Sequence, residues 1–252
     1  MSPTSDQTTE GREHRVSRAF VALADTLVAD FDIADFLAML TQRCTELLSV
    51  DAAGVILRSP HGEFQVVASS GRGAQLLERF AVETGDGPCI DCVHSGQPVI
   101  CTDLSVGRAR WPRFSVAAGK CGFRAVHALP MRYHHQSIGV LTLLNAAAHG
   151  VAIDASRLGQ SFADVATIGI LQQRTIDQGE RLSQQLQAAL TSRIAIEQAK
   201  GVLSQHGGVS MDEAFDRLRG YARAHQLRLT ALAGTVADGK ADLRAILAHP
   251  RG

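Results

Sequence analysis

Phe20, Leu23 and Leu27, and then Phe36, Leu37, Leu40 and Leu47, recur at helical spacing and predict two amphipathic helices over 14–29 and 33–48. Asp32 is placed to cap the second. Beyond Leu48 the pattern shortens to strand length. Ala52–Leu57 and Phe64–Ala68 are β-rich runs joined by Ser59-Pro60-His61-Gly62, a turn-forming connector, and read as a hairpin. A helical stretch around Ala74–Phe80 lies inside the glycine-punctuated segment 71–87. Pro88 opens a short helix to His94 that Gly96 stops. Pro98–Cys101 reads as a strand, and Trp111-Pro112 begins a short helix ending near Gly119–Gly122. Two longer strands follow, Ala125–Met131 and Ser137–Asn145, connected through Tyr133-His134-His135-Gln136.

From Asp154 the helical period returns through Leu158, Phe162, Val165, Ile168 and Leu171, and Leu182, Leu186, Leu190 and Ile194 then step by four. The stretch Asp154–Gln205 is one bent helix or two stacked ones, and Gly207-Gly208 ends it. Ser210-Met211-Asp212-Glu213 is a capping box, opening a helix with Ala214, Phe215, Leu218, Tyr221 and Ala222 on its inner side. Leu229–Val236 is a further helix with Thr230 as its expected N-cap, and Ala241–Leu247 a short last one. Ile194, Leu203, Phe215, Leu218 and Leu232 are assigned to the core of this part. The fold class is therefore α+β: an antiparallel sheet flanked by helices, joined by a long helix to a small all-α three-helix bundle. The expected division is a disordered polar tail over 1–13, a first domain over 14–178, and a connecting helix plus helical domain over 179–248.

The chain has 252 residues, 45% of them apolar, with 25 basic and 25 acidic side chains. The zero total hides a split: residues 181–252 hold 10 basic and 6 acidic residues, and 1–180 hold 15 and 19. The helical back is thus the basic part. No apolar run has the length of a membrane span, and the polar start carries no secretory leader pattern, so a cytoplasmic protein with no membrane partner is expected.

Five cysteines, Cys44, Cys89, Cys92, Cys101 and Cys121, read as reduced thiols. Cys89-Ile-Asp-Cys92 near a helix start has three readings: buried inert thiols, a redox pair with a lowered thiol pKa, or half of a zinc site completed by Cys101, Cys121 or His94. His134-His135 falls in a strand connection and is expected at the surface. There is no nucleophile elbow, zinc-protease or phosphate-loop pattern, so no catalytic residue, metal or cofactor is assigned and no enzyme is expected.

Arg193, Lys200 and Ser204 lie on one helical face, Arg219 and Arg223 are one turn apart, and Arg228 follows. Together they could form one basic face for phosphates and exposed bases. Ala199 and Gly201 are small and permit close approach of a backbone. The run Gln198-Ala199-Lys200-Gly201-x-Leu203, followed after a polar gap by Glu213-Ala214-Phe215-x-x-Leu218-Arg219, resembles an ANTAR domain over about 186–240. That resemblance implies a dimeric module that binds hairpin loops of nascent RNA and disfavours a transcription terminator. It departs from the family at Gly220, where a basic residue is common, and at His225-Gln226.

Gly85-Asp86-Gly87-Pro88-Cys89, Gly96-Gln97-Pro98-Val99, Asp103-Leu104, Arg110-Trp111-Pro112-Arg113-Phe114, Gly122–Val126, Leu129-Pro130-Met131 and Ile138–Leu143 resemble a GAF domain over about 33–175. The resemblance implies a sensor with an unnamed small-molecule ligand, its pocket on the sheet face opposite the terminal helices, walled by 85–95 and 108–121. Cys89, Trp111 and Phe114 are the candidate lining residues. The expected whole is a homodimeric, signal-responsive antitermination regulator, with the long helix coupling sensor to RNA reader. The alternatives are a ligand- or redox-responsive protein-interaction scaffold without RNA binding, and a thiol reductase using Cys89 and Cys92.

Overall fold

The computed structural model describes residues 4–28, 32–59, 61–134, 136–148 and 152–249. They fall into two compact units, Met1–Arg174 and Thr175–Gly252.

In the first unit, α1 (Thr4–Val28) and α2 (Ile33–Leu47) precede a five-stranded sheet. Its strands are β1 (Ala52–Arg58), β2 (Phe64–Ser69), β3 (Val99–Cys101), β4 (Ala125–Tyr133) and β5 (Gln136–Asn145). They lie in the order β2-β1-β5-β4-β3, and every neighbouring pair is antiparallel. Between β2 and β4 the chain forms α3 (Arg72–Thr84), α4 (Pro88–Ser95), a 3-10 turn at Gly107–Ala109, and α5 (Pro112–Lys120). The long helix α6 runs without a break from Ile153 to Gly207 and begins in this unit.

The sheet is covered on both faces. Ala53, Val55, Leu129, Met131, Leu141 and Leu143 point to one side, against α1, α2 and the start of α6. There Phe162 of α6 is fully buried and stacks on Phe20 of α1, with ring centroids 5.0 Å apart. Ala52, Ile56, Val126, Ala128, Val140 and Leu144 point to the other side, against α3, α4 and α5. This is why β4 and β5 are nearly continuous apolar runs instead of alternating ones.

Local signals place the helix ends as expected. Asp32 accepts hydrogen bonds from the Ala34 and Asp35 amides, and Gly96 ends α4 in the left-handed conformation. Two expectations are corrected. α1 starts at Thr4, so helix covers residues expected to be a disordered tail; after Pro3 no proline interrupts the segment. The β4–β5 connection is tighter than expected, because the strands extend to Tyr133 and from Gln136. His134 sits exposed in it with φ 53°; His135, like Pro60 of the first hairpin, lies outside the described residues.

In the second unit the rest of α6 packs with α7 (Met211–Ala224), α8 (Leu229–Ala237) and α9 (Leu243–Leu247). The core holds Leu203, Ala214, Leu218, Ala222, Leu232, Ala233, Val236 and, from α9, Ile246. Ser210 accepts from the Glu213 amide and so caps α7, as the capping box implied. The N-cap of α8 is Arg228, extended and bonded through its carbonyl to the Leu232 amide, so Thr230 lies inside the first turn. Ile194, assigned to the core, is 58% exposed and continues the exposed stripe of Leu182, Leu186 and Leu190. A four-residue step keeps these side chains on a slowly turning face of α6 that no other described helix covers.

Removing the Phe162 ring leaves a cavity where α1 and α6 meet on the sheet. Phe162→Ala is expected to cost about 3–5 kcal/mol of stability, read by urea denaturation with Trp111 fluorescence as the probe.

Candidate functional sites

The first candidate site is built where α3 ends and α4 begins. Gly85 closes α3 with φ 63°, and Gly87 follows with φ 145°, both outside the range L side chains favour. A Cβ on Gly87 would stand 2.7 Å from the Phe114 ring, so this glycine also admits Phe114 to the core. Between the two, the Asp86 carboxylate accepts the amide hydrogens of Arg113 (3.0 Å) and Phe114 (2.9 Å) and caps α5 from a distance. The Gly-Asp-Gly-Pro sequence thus ties three helices together.

Cys89, Trp111 and Phe114 do come together: all three are buried in the cluster between the sheet and α3–α5. Trp111 is fixed from both sides. Its Nε1 donates to Asp91 of α4 at 3.0 Å, and Arg110, paired to the same carboxylate at 2.7 Å, lies over its ring.

The Cys89-x-x-Cys92 pair is buried, unlike the accessible thiols of a redox motif. Burial pushes both thiols up, Cys92 to about 12, so neither is a thiolate near neutral pH. The Cys92 thiol donates to the Ala128 carbonyl at 3.4 Å. Among the described residues all five cysteines are free, and no group of three or more His, Cys, Asp or Glu side chains is arranged to hold a metal.

A residue that sequence reasoning passed over lies in the same cluster. Glu78 of α3 is 2% exposed. Its carboxylate accepts from Ser69 Oγ at 2.7 Å, while Oε1 has no hydrogen bond. Burial pushes its pKa up to about 8, with the Ser69 and Thr142 hydroxyls working against the shift. The signal was available: Ala74, Leu77, Glu78 and Ala81 share the apolar stripe of α3.

The second candidate site is on the helical unit. Arg219 and Arg223, one turn apart on α7, are exposed and line a groove of about 420 Å³ with Asp216, Gly220, Ala224 and His249. Neither arginine enters an ion pair among the described residues. Gly220 and Ala224 leave the groove lining free of bulk between the two arginines. Beside it Tyr221 stacks on His225 at 3.9 Å, and His249 meets Tyr221 edge-on at 5.9 Å.

The other expected contact residues are dispersed. Arg193 and Arg228 are exposed but do not line the groove. Lys200 is bonded to both Glu197 oxygens at 3.0 Å and lies over the Phe215 ring. Ser204 donates its hydroxyl to the Val209 carbonyl at 2.6 Å. Gly201 faces open space. Ala199 is corrected: it is fully buried in the helical core, so its smallness serves helix packing and presents nothing to a ligand.

The family model of the GAF domain matches residues 32–171, more than half of the chain, and the chain belongs to that family. The model of the ANTAR domain matches residues 184–236, so an ANTAR domain follows the GAF domain. No curated protein matches the chain. Solved structures share the fold of the first unit at low identity. The GAF domain of a phosphoenolpyruvate-protein phosphotransferase from Acinetobacter is 14% identical, with a TM-score of 0.50 over 70% of this chain and 98% of that one. That of a phosphoenolpyruvate-protein phosphotransferase from Coxiella burnetii is 17% identical, with a TM-score of 0.51 over 65% and 97%. The free methionine-R-sulfoxide reductase of Neisseria meningitidis, solved with its substrate, is 15% identical, with a TM-score of 0.52 over 66% and 91%. Among the described residues no helix is long and apolar enough to cross a membrane.

Two outcomes are expected from this geometry. In the native protein a colorimetric thiol reagent should react first with the half-buried Cys101 and Cys121, and with Cys44, Cys89 and Cys92 only on unfolding. Rapid reaction at Cys89 would restore the reductase reading. Asp86→Ala should cost about 1 kcal/mol in a denaturation curve, as loss of a helix cap does.

Proposed function

We propose that this protein is a cytoplasmic, signal-responsive RNA-binding regulator: its GAF domain takes a diffusible ligand, and its ANTAR domain binds hairpin loops of nascent transcripts and promotes readthrough of a terminator. The observation that carries the reading is the ANTAR match on a helical unit whose Arg219 and Arg223 stand exposed beside a groove and in no ion pair among the described residues. Cationic side chains without an acidic partner can attract phosphates at no cost of breaking an ion pair. The ring stack of Tyr221 and His225 adds a surface of the kind on which unpaired bases pack.

The protein acts as a homodimer. Leu182, Leu186, Leu190 and Ile194 are each more than half exposed on α6, an apolar stripe that a second copy of the same helix would cover. Two weakly basic readers joined in this way bind paired loops more tightly than either alone. Because α6 is a single helix from Ile153 to Gly207, a change in its packing within the GAF domain has a continuous path to the ANTAR domain.

Crosslinking the full chain to cellular RNA and sequencing what is captured tests the reading directly. On a captured hairpin, Arg219→Ala and Arg223→Ala should each weaken binding and lower the log–log salt slope by about 0.7–0.9. A scaffold would bind no RNA in a salt-dependent way. The double variant Leu186→Asp with Leu190→Asp should yield monomers by analytical ultracentrifugation and lose affinity for two-hairpin RNA more than for one hairpin. Deleting 181–190 with both domains folded removes most of that stripe, so it should weaken binding to two-hairpin RNA and make the remaining single-hairpin binding indifferent to the signal.

A further inference from the structure

Across the sheet face beneath α3, the register sets Ser69 beside Gly54, Gly54 beside Thr142, and Thr142 beside Ala128. Four adjoining strands thus contribute a row of small residues, a trough in an otherwise bulky apolar face. Glu78 reaches into it. A Cβ on Gly54 would stand 2.1–2.3 Å from the Glu78 carboxylate atoms, so the strand keeps a glycine where this side chain lies. Carboxylates are seldom buried without a cation. Among the described residues none approaches. Arg72, Arg79 and Glu83 of α3 itself point outward, with Arg79 paired to Glu83. Arg58 on β1, Arg113 and Lys120 on α5, and His94 on α4 are exposed, and Asp91 of α4 is held by Arg110. No charged group of β2 or β5 lies within the trough. Among the described residues the titratable neighbour that senses Glu78 is the Cys89 thiol, itself neutral.

A carboxyl in such a place is neutral in the closed domain. If it ionises, the charge has only the Ser69 and Thr142 hydroxyls for company, and the nearest relief is water. Water reaches it only if α3 lifts from β1 and β2. We propose that the ligand sensed by the GAF domain is the proton, bound at Glu78: the neutral carboxyl lets α3 seat on the sheet, and release of the proton to solvent frees α3 as water enters to solvate the carboxylate. This rests on the sensor role given to the domain above and names what it senses.

The direction of the effect follows by linkage. The closed domain keeps its proton up to about pH 8, whereas an opened α3 exposes a carboxyl of ordinary value, near 4.5. Between those values the open state has lost a proton that the closed state still binds, so closure weakens as pH rises and levels off above about 8.

The experiment is hydrogen exchange on the full chain from pH 6 to pH 9, corrected for the intrinsic effect of pH. Opening of α3 should increase about tenfold per pH unit up to about 7.5 and then flatten, and Trp111 fluorescence from the same cluster should follow. In Glu78→Gln, which keeps the shape and removes the charge, both changes should vanish. Protection of α3 that ignores pH in the wild type, or that falls equally in Glu78→Gln, overturns the proposal. Should Glu78→Gln fail to fold, a side-chain ¹³C titration of the wild-type glutamates decides: one carboxyl titrating near pH 8 supports the proposal, and none above pH 6 overturns it. RNA capture at pH 6.5 and 8.5 separates the two readings. RNA binding with a pH-indifferent α3 removes the proton sensor alone, and a titrating α3 with no RNA binding at either pH removes the RNA reader alone.

Discussion

A sheet that is dry on both faces governs the GAF domain. With α1, α2 and the start of α6 on one side and α3–α5 on the other, each strand of the centre buries the side chains along most of its length. The chain meets that demand with apolar residues almost throughout, and any polar group admitted needs a reason. Thr142 and Glu78 are admitted on the same face, next to one another, over the glycine that makes room for them. The helices on that face are held by polar links at the rim: Asp86 to α5, Asp91 to Trp111 and Arg110. Beneath those links the same helices share a buried apolar cluster with the sheet.

The fold was largely legible in the residues because its boundaries are set by local chemistry. Asp32, Gly96, Gly208 and Ser210 end or begin helices by hydrogen bonds and backbone conformations available within a few residues. Where the reading went astray, the deciding partner was distant. Thr230 has the right chemistry for a cap, yet the turn of the chain after α7 makes Arg228 the extended residue. Ile194 and Leu203 look alike in periodicity, and only the position of α7 and α8 decides which is covered.

The candidate sites were legible in part for the same reason. Arg219 and Arg223 are neighbours on one helix, and their joint position needs no tertiary knowledge. Lys200 and Ser204 were on the expected face, but Glu197, Phe215 and the Val209 carbonyl engage them. Cys89, Trp111 and Phe114 lie in one buried cluster, where they are packed core. Glu78 went unread because a charged residue in an apolar stripe is usually at its edge, and what buries it comes from strands far away in sequence.

The short helix α9 lies beyond residue 236, where the match to the ANTAR domain ends. Yet Ile246 is in the core of that unit, the Leu247 carbonyl accepts from Arg217, and His249 joins the ring cluster at the groove. The stretch that is recognisably inherited and the stretch that folds as one body therefore differ in length. In this chain the seam left open by the family match is closed by residues that lie outside it. Differences in what such modules recognise can arise in the closure, outside the part by which they are classified.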